Sequence, residues 1–143
     1  MGGRSGSSGI SSSIQDKINN MKSYPDADPG DVKNLVPLAS ESDIREASRL
    51  YNIIRSKGDL NYDEKEVSIS SLTTRQEWVT QSKLSSMNED FTGRISGLRT
   101  STDSGVRAID YNGKLILVDG NHRVNLAILR GQKRMKIRIL KVK

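Results

Sequence analysis

The chain has 143 residues, enough for one domain, and its hydrophobic content of 34% with only 4% aromatic residues predicts a modest, aliphatic core. It contains no cysteine, which excludes disulfide bonds, thiolate metal sites and cysteine nucleophiles. No apolar run approaches the roughly 18 residues of a membrane span, and the N-terminus lacks the apolar core of a signal peptide, so we expect a cytoplasmic protein without a membrane partner.

The net charge of +6 comes from one end of the chain. Residues 114–143 contain nine Lys or Arg and one acid, a net charge of +8, whereas the other 113 residues contain 14 bases and 16 acids, a net charge of −2. Such clustering is typical of proteins that bind a polyanion, because phosphate contacts supply most of the non-specific affinity for nucleic acid. A solvated basic face gives the same pattern, so the charge alone leaves both interpretations open.

The predicted structure of the N-terminal part of the chain changes at residue 14. Residues 1–13 are rich in Gly and Ser and predict a flexible lead-in with too few apolar residues to fold. Residues 14–62 predict a helical extension, which begins with a short helix over residues 14–23. Apolar residues at helical spacing and a capping box of Ser12 and Gln15 indicate that helix.

A loop and a longer helix complete the extension. All three prolines lie within residues 24–37, which predicts a loop. A helix over residues 41–57 follows, with Ser40 and Asp43 suited to cap its start and Gly58 to end it. An apolar stripe of this kind packs onto a core or a partner, so residues 14–58 are the candidate surface for a protein partner. The stripe consists of Ile44, Ala47, Leu50, Tyr51 and Ile54.

Residues 63–143 predict a compact α+β unit. Alternating residues indicate a strand over residues 66–70, and a helix over about residues 75–87, capped by one of the two threonines before it, carries Trp78. Residues 88–105 read as a loop.

A hairpin, a helix and a last strand complete this unit. Asn112-Gly113 between two apolar runs is the strongest short-range hairpin signal, which predicts strands over residues 106–111 and 114–118. A short helix ending at Gly131 follows, and residues 135–142 alternate as a final strand.

Between the hairpin and that helix lies Asp119-Gly120-Asn121-His122-Arg123, here called the corner. Gly120 allows the backbone to turn sharply and to approach a ligand closely. The amides of Asn121, His122 and Arg123 open the helix, where N–H groups lack partners and the helix dipole is positive. Both properties favour an anion such as phosphate. The corner is therefore the candidate phosphate- or nucleotide-binding site.

The side chains of the corner suit phosphate chemistry. Arg123 can bind two phosphate oxygens, and Asn121 can donate to a phosphate or a developing oxyanion. His122, the chain's only histidine, is the candidate for proton transfer, and Asp119 can orient it or hold Mg²⁺. Asp119, His122 and Arg123 are thus the candidate catalytic residues, with Mg²⁺ and a nucleotide as implied cofactor and ligand. The same residue types also serve as ordinary helix caps, so binding without catalysis stays open.

The corner and its flanks resemble the ParB/sulfiredoxin fold family, and within it the ParB-like nuclease branch. That branch has an apolar strand, Asp-Gly-x-His-Arg, a helix ending in Gly and a last apolar strand, which here read LILVDGNHRVNLAILRG followed by KIRIL. Upstream, VSISSLTTRQEWVTQSKL has the pattern of the family's first strand and helix, and VRAIDYNGKLILVDG has that of its hairpin. The resemblance spans residues 66–142. The matching upstream residues are Val67, Ile69, Leu72, Gln76, Val79 and Lys83.

The resemblance implies an α+β fold with a small mixed sheet, preceded by the helical N-terminal extension, and a phosphate held by Gly120, Asn121, His122 and Arg123. Members of the family bind CTP, hydrolyse nucleoside triphosphates, act as nucleases, or occur as toxin- or phage-associated domains. The cysteine chemistry of sulfiredoxins is excluded, because Asn121 stands at that cysteine's position.

These features together predict a hydrolase that cleaves a nucleic-acid phosphodiester or a nucleotide phosphoanhydride. Gln76 and Lys83 are further phosphate-binding candidates on the preceding helix. Two alternatives stay open: a non-catalytic nucleotide- or DNA-binding module, and a toxin or effector domain of a larger, phage-associated protein.

Overall fold

The structure, a computed structural model, describes residues 10–23, 30–58, 60–93 and 105–141. It has an α+β fold, as predicted, in which helices cover a five-stranded mixed sheet and a separate two-stranded sheet. In chain order the elements are α1 (Ile10–Asn19), β1 (Asp31–Lys33), α2 (Glu41–Ser56), β2 (Tyr62–Ser68), β3 (Leu72–Thr74), β4 (Trp78–Thr80), α3 (Gln81–Gly93), β5 (Arg107–Tyr111), β6 (Lys114–Asp119), α4 (Asn121–Leu129) and β7 (Arg134–Lys141).

The larger sheet has the strand order β2-β7-β5-β6-β3. β5 and β6 form the predicted antiparallel hairpin, and its turn has the positive φ angles that Asn-Gly favours, 52° at Asn112 and 81° at Gly113. β7 runs parallel to β5 and antiparallel to β2, while β3 runs parallel to β6. The hairpin thus delivers β6, and the corner at its end, to the interior of the sheet.

Each face of this sheet is covered by one helix. On the first face, Val124 and Ala127 of α4 pack with Leu117 and Ile137. On the second face, Ala47 of α2 packs with strand residues such as Ile109 and Ile116. The predicted helix over residues 41–57 is confirmed, since Oγ of Ser40 accepts from the Asp43 amide at 3.2 Å and Gly58 follows its end at φ 74°.

A third apolar cluster joins the N-terminal segment to the corner helix. Ile14 and Ile18 of α1 pack with Val79, Leu84 and Leu126, which belong to β4, α3 and α4. The stripes of α1 and α2 therefore cover the chain's own core. Of the α2 stripe, Ala47, Tyr51 and Ile54 belong to the cluster on the second face. A protein partner for residues 14–58 stays a prediction.

Two local predictions in the N-terminal part are wrong. α1 begins at Ile10, so Ser12 lies within the helix, and Gln15 donates to Asn19 and Ser85 rather than forming a capping box. The predicted loop over residues 24–37 contains β1, which pairs with β4. Residues 1–9 of the predicted lead-in lie outside the described residues.

The predicted helix over residues 75–87 is also wrong in its first part. Residues 78–80 form β4, and α3 starts only at Gln81. The reason is tertiary, because Val79 pairs with Val32 and is fully buried. Of the loop predicted over residues 88–105, the first part continues α3 to Gly93, and residues 94–104 lie outside the described part.

In the described part of the chain, none of the helices is both long and apolar enough to span a bilayer.

Candidate functional site

The corner is a left-handed turn that only glycine fits. Gly120 has φ 88° and ψ 18°, a conformation that other residues adopt at a cost of about 1–2 kcal/mol. A Cβ atom at this position would lie 2.7 Å from Cα of Val106 and 2.8 Å from the carbonyl oxygen of Gly105. The turn therefore depends on glycine both for its φ angle and for the close approach of residues 105–106, which directly precede β5.

The same glycine leaves the start of α4 without a side-chain cap. Most helices begin at Ser, Thr, Asp or Asn, whose side chain accepts from a first-turn amide. Gly120 has no such group. The first intrahelical bond runs from the Val124 amide to the Gly120 carbonyl at 3.0 Å, so the amides of residues 121–123, here called the first-turn amides, precede the helical bonding pattern.

Asp119 is held by Arg107 rather than by the histidine. Its Oδ2 accepts from an Arg107 Nη1–H group at 3.3 Å, and its Oδ1 accepts from the Gly120 amide at 3.0 Å. The predicted role of Asp119 in orienting His122 finds no support in these contacts. The side chain is 63% exposed.

His122 is a hydrogen-bond acceptor. Its Nε2 accepts from the backbone amide of Thr80 at 2.9 Å, which places the ring proton on Nδ1. Burial lowers the pKa of His122 below its ordinary value, the charge of Lys83 lowers it further, and the charge of Asp31 opposes this shift. The imidazole is therefore neutral at pH 7. Asp31 is the acid whose charge acts on the pKa of His122, and it was not among the site residues predicted from the sequence.

This arrangement bears on the proton-transfer role predicted for His122. A protonated imidazole has a hydrogen on both nitrogens, so it cannot keep the bond from the Thr80 amide. Taking up a proton at Nε2 would break this contact between α4 and β4. The geometry makes His122 a link between two elements and gives no support to proton transfer.

Asn121 points into the protein. It is 6% exposed, and its Oδ1 accepts from Thr74 Oγ1 at 2.6 Å and from Asn34 Nδ2 at 2.9 Å. The predicted contact of this side chain with a phosphate or an oxyanion is therefore not supported. Its backbone amide still belongs to the first-turn amides.

A buried polar network surrounds Asn121. Asn125 Nδ2 donates to Asn34 Oδ1 and to the Asn121 carbonyl, both at 2.8 Å, and Asn125 Oδ1 accepts from the Leu35 amide at 2.8 Å. Asn34, Thr74 and Asn125 were not among the site residues predicted from the sequence. The available signal was Asn125, the one polar residue within 124–129, one helical turn after Asn121.

Three cationic side chains lie around the corner. Arg123 is exposed, and its guanidinium lies over Gly105, where a Cβ atom would be 3.6 Å from Nε. Burial lowers the pKa of Arg130, and the nearby charge of Arg123 lowers it further. Lys83 is exposed on α3 and close enough to shift the pKa of His122.

Gln76, the other candidate from the preceding helix, lies in the turn between β3 and β4. Its Nε2 donates to the Trp78 carbonyl at 2.7 Å, and its amide donates to Thr74 Oγ1 at 3.1 Å. The side chain closes the turn rather than facing the first-turn amides.

Comparison of the chain with protein-family models, with curated proteins and with solved structures gives no match. The resemblance to ParB-like nucleases therefore stays an expectation from the motif.

The basic surplus of the C-terminal segment does not gather at the corner. Arg134, Lys136 and Arg138 alternate along β7 on the sheet face opposite α4. Across the strand pair they face β2, where Glu66 accepts from Arg134 Nε at 3.1 Å and Glu64 is the Cα partner of Arg138 in the register. The charge imbalance read along the sequence is thus partly neutralised in the fold.

Among the described residues there is no group of three His, Asp or Glu side chains that could hold a metal ion. The predicted Mg²⁺ ligand, Asp119, has Arg107 on one of its oxygens. The chemistry that this arrangement supports best is recognition of an anion by Arg123 and backbone amides.

Proposed function

We propose that this protein binds the phosphate of a nucleotide or of a nucleic acid at the corner. The first-turn amides and the guanidinium of Arg123 are the donors, and Lys83 adds positive charge on α3. Backbone amides at a helix start and an arginine fork are the groups that proteins use for this purpose. The motif's resemblance to the ParB-like branch supports the same choice of ligand.

The observation that carries the proposal is the Gly120 turn. Gly120 has a left-handed φ, and its neighbours lie too close for any Cβ atom. Because glycine has no side chain, α4 begins without a side-chain cap. A Ser or Asp side chain at this position would itself accept from a first-turn amide, whereas Gly120 has no such group and leaves those donors to a ligand.

Binding is proposed in preference to the predicted cleavage of a phosphodiester or phosphoanhydride. His122 accepts from the Thr80 amide and Asp119 accepts from Arg107, so neither predicted proton-transfer partner faces the other. The proposal therefore follows the non-catalytic alternative. Phosphate binding at the corner is also compatible with a toxin, an effector or a phage-associated domain. That alternative predicts no further contact at the corner.

The test is a binding titration with a matched pair of charge variants. Arg123→Gln removes the proposed phosphate ligand, and Lys136→Gln removes the same charge from the opposite sheet face. Isothermal titration calorimetry with sodium tripolyphosphate, ATP and a single-stranded oligonucleotide measures the affinity. Loss of a charge-assisted hydrogen bond of about 1.5–3 kcal/mol predicts roughly 10- to 150-fold weaker binding for Arg123→Gln and little change for Lys136→Gln.

A product assay separates binding from cleavage. Each nucleotide and nucleic acid is incubated with the protein in Mg²⁺ or in EDTA, beside His122→Ala. We expect no product. Turnover that His122→Ala abolishes would overturn the non-catalytic proposal and restore the hydrolase prediction, while equal loss of binding in both charge variants would remove the corner as the site.

A further inference from the structure

The chain's only tryptophan lies on the outward face of β4, the strand whose Thr80 amide contacts His122 of the corner. Trp78 is 41% exposed and begins β4. In this strand Val79 is buried, whereas Trp78 and Thr80 are exposed, so these two share the outward face. A large aromatic side chain held on a strand, and not in the core, is a preformed flat surface for a ligand ring.

β4 contacts the corner at Thr80. The amide of Thr80 donates to His122 Nε2 at 2.9 Å, and Trp78 is two residues away on the same strand, about 6.6 Å between Cα atoms. A ligand that reaches from the first-turn amides along β4 therefore meets the indole.

Charge on the neighbouring strand suits the same ligand. Lys33 is the Cα partner of Trp78 in the β1–β4 pair, so its exposed side chain lies beside the indole on the outward face. Lys83 is close enough to His122 to shift the pKa of the imidazole. An aromatic side chain with cations near it is the arrangement that binds unpaired nucleotides, in which a base stacks and its phosphates meet positive charge.

We infer that Trp78 is a stacking platform for the base of a nucleotide whose phosphate is bound at the corner. This inference rests on the proposed function and narrows it. The ligand is a nucleotide with a free base face, present either as a nucleoside phosphate or in a single strand. Duplex DNA is excluded, because paired and stacked bases have no free face for the indole.

The single tryptophan makes the test direct. Intrinsic fluorescence is recorded while the intact chain is titrated with sodium tripolyphosphate, with ATP, with oligo(dT) and with a duplex of equal length. Stacking predicts quenching by the nucleotide ligands and none by tripolyphosphate. The arms with ATP and oligo(dT) distinguish a free nucleotide from a single strand as the source of the base.

Variants provide the second measurement. Trp78→Ala is expected to weaken calorimetric binding of the preferred nucleotide by roughly 5- to 150-fold and to leave tripolyphosphate binding unchanged, while Trp78→Phe keeps most of the affinity. Ile53→Ala, which truncates a side chain 39% exposed on α2, is the matched control and is expected to change neither. Circular dichroism checks that each variant is folded.

The outcomes separate the two proposals. Tripolyphosphate binding that depends on Arg123, together with an unchanged nucleotide affinity in Trp78→Ala, overturns the platform and keeps the phosphate site. Equal affinity for duplex and single strand overturns it as well. If the wild-type chain binds none of the probes, the proposed function fails and the platform fails with it.

Discussion

Asn34 donates from Nδ2 to Oδ1 of Asn121 over 2.9 Å, although the two residues lie 87 positions apart. Both side chains are buried, and Asn121 is the first residue of α4. The bond ties the segment after β1 to the start of the corner helix. The N-terminal segment therefore helps to fix the geometry of the first-turn amides, and is more than an appendage to the motif.

Asn34→Ala is expected to lower the free energy of unfolding by about 2–3 kcal/mol, because buried groups left unpaired cost about 1–3 kcal/mol. The Gln76 carbonyl and Oδ1 of Asn121 lose a donor. The Val36 amide and Nδ2 of Asn125 lose an acceptor. Urea denaturation followed by circular dichroism measures the change.

The control for that prediction is Asn52→Ala, an exposed position on α2. Surface substitutions usually change stability by less than about 0.5 kcal/mol. If Asn34→Ala lowers the free energy of unfolding no more than Asn52→Ala does, water replaces the hydrogen bonds of Asn34 equally well. The link between the segment after β1 and α4 then does not stabilise the fold.

The hydrogen bond between Thr80 and His122 predicts a pH-dependent stability. The pKa of His122 is lowered in the fold, so the unfolded chain binds a proton more readily. The contribution of this group is fully present above about pH 6.5, the ordinary pKa of histidine, and is lost as the pH falls through the lower folded-state pKa.

His122→Gln isolates this effect, because an amide oxygen can accept from the Thr80 amide without titrating. We expect the urea midpoint of the wild-type chain to fall more than that of His122→Gln between pH 7.5 and pH 5. Parallel curves for the two proteins over this range would contradict the prediction.

The features that local chemistry determines were predictable from the sequence. The Asn112-Gly113 hairpin follows from two positive φ angles, and α2 follows from its Ser40 cap, its apolar stripe and Gly58. The strand, turn and helix at the corner follow in the same way, since Gly120 interrupts two regular patterns.

The features that depend on distant contacts were not predictable in this way. Residues 75–80 have a plausible helix start, yet Val79 becomes a strand residue because Val32 pairs with it. Likewise, Asn121 reads as a phosphate ligand by its place in the motif, but Asn34 and Thr74 bind its side chain. A single sequence does not reveal such pairs.

Gly120→Ala is expected to destabilise the fold more than Gly131→Ala. Both glycines have positive φ angles, 88° and 80°, so each alanine costs about 1–2 kcal/mol in backbone strain. Only at Gly120 would the new Cβ meet backbone, 2.7 Å from Val106 Cα, whereas Gly131 has nothing within 4 Å. Such overpacking adds about 1–3 kcal/mol.

Thermal and urea unfolding of the two variants measure the difference. Because Gly120→Ala moves β5 away from the start of α4, its affinity for tripolyphosphate is also expected to fall, while Gly131→Ala keeps it. Equal free energies of unfolding in the two variants would contradict the prediction. They would show that the backbone near Gly120 shifts to accept a Cβ atom without loss of stability.

The charges around His122 predict opposite shifts of its pKa in two variants. Burial is the main cause of the lowered pKa, Lys83 lowers it further, and Asp31 raises it. Lys83→Gln is therefore expected to raise the pKa of His122, and Asp31→Asn to lower it. Lys57→Gln, at the end of α2, is the control and should leave the pKa of His122 unchanged.

Because the chain has one histidine, its ring resonances in a ¹H–¹³C NMR titration report this pKa without ambiguity. A shift of the same sign in Lys83→Gln and Asp31→Asn would mean that the variants act by changing the burial of the ring, and that Asp31 is not the acid that faces it.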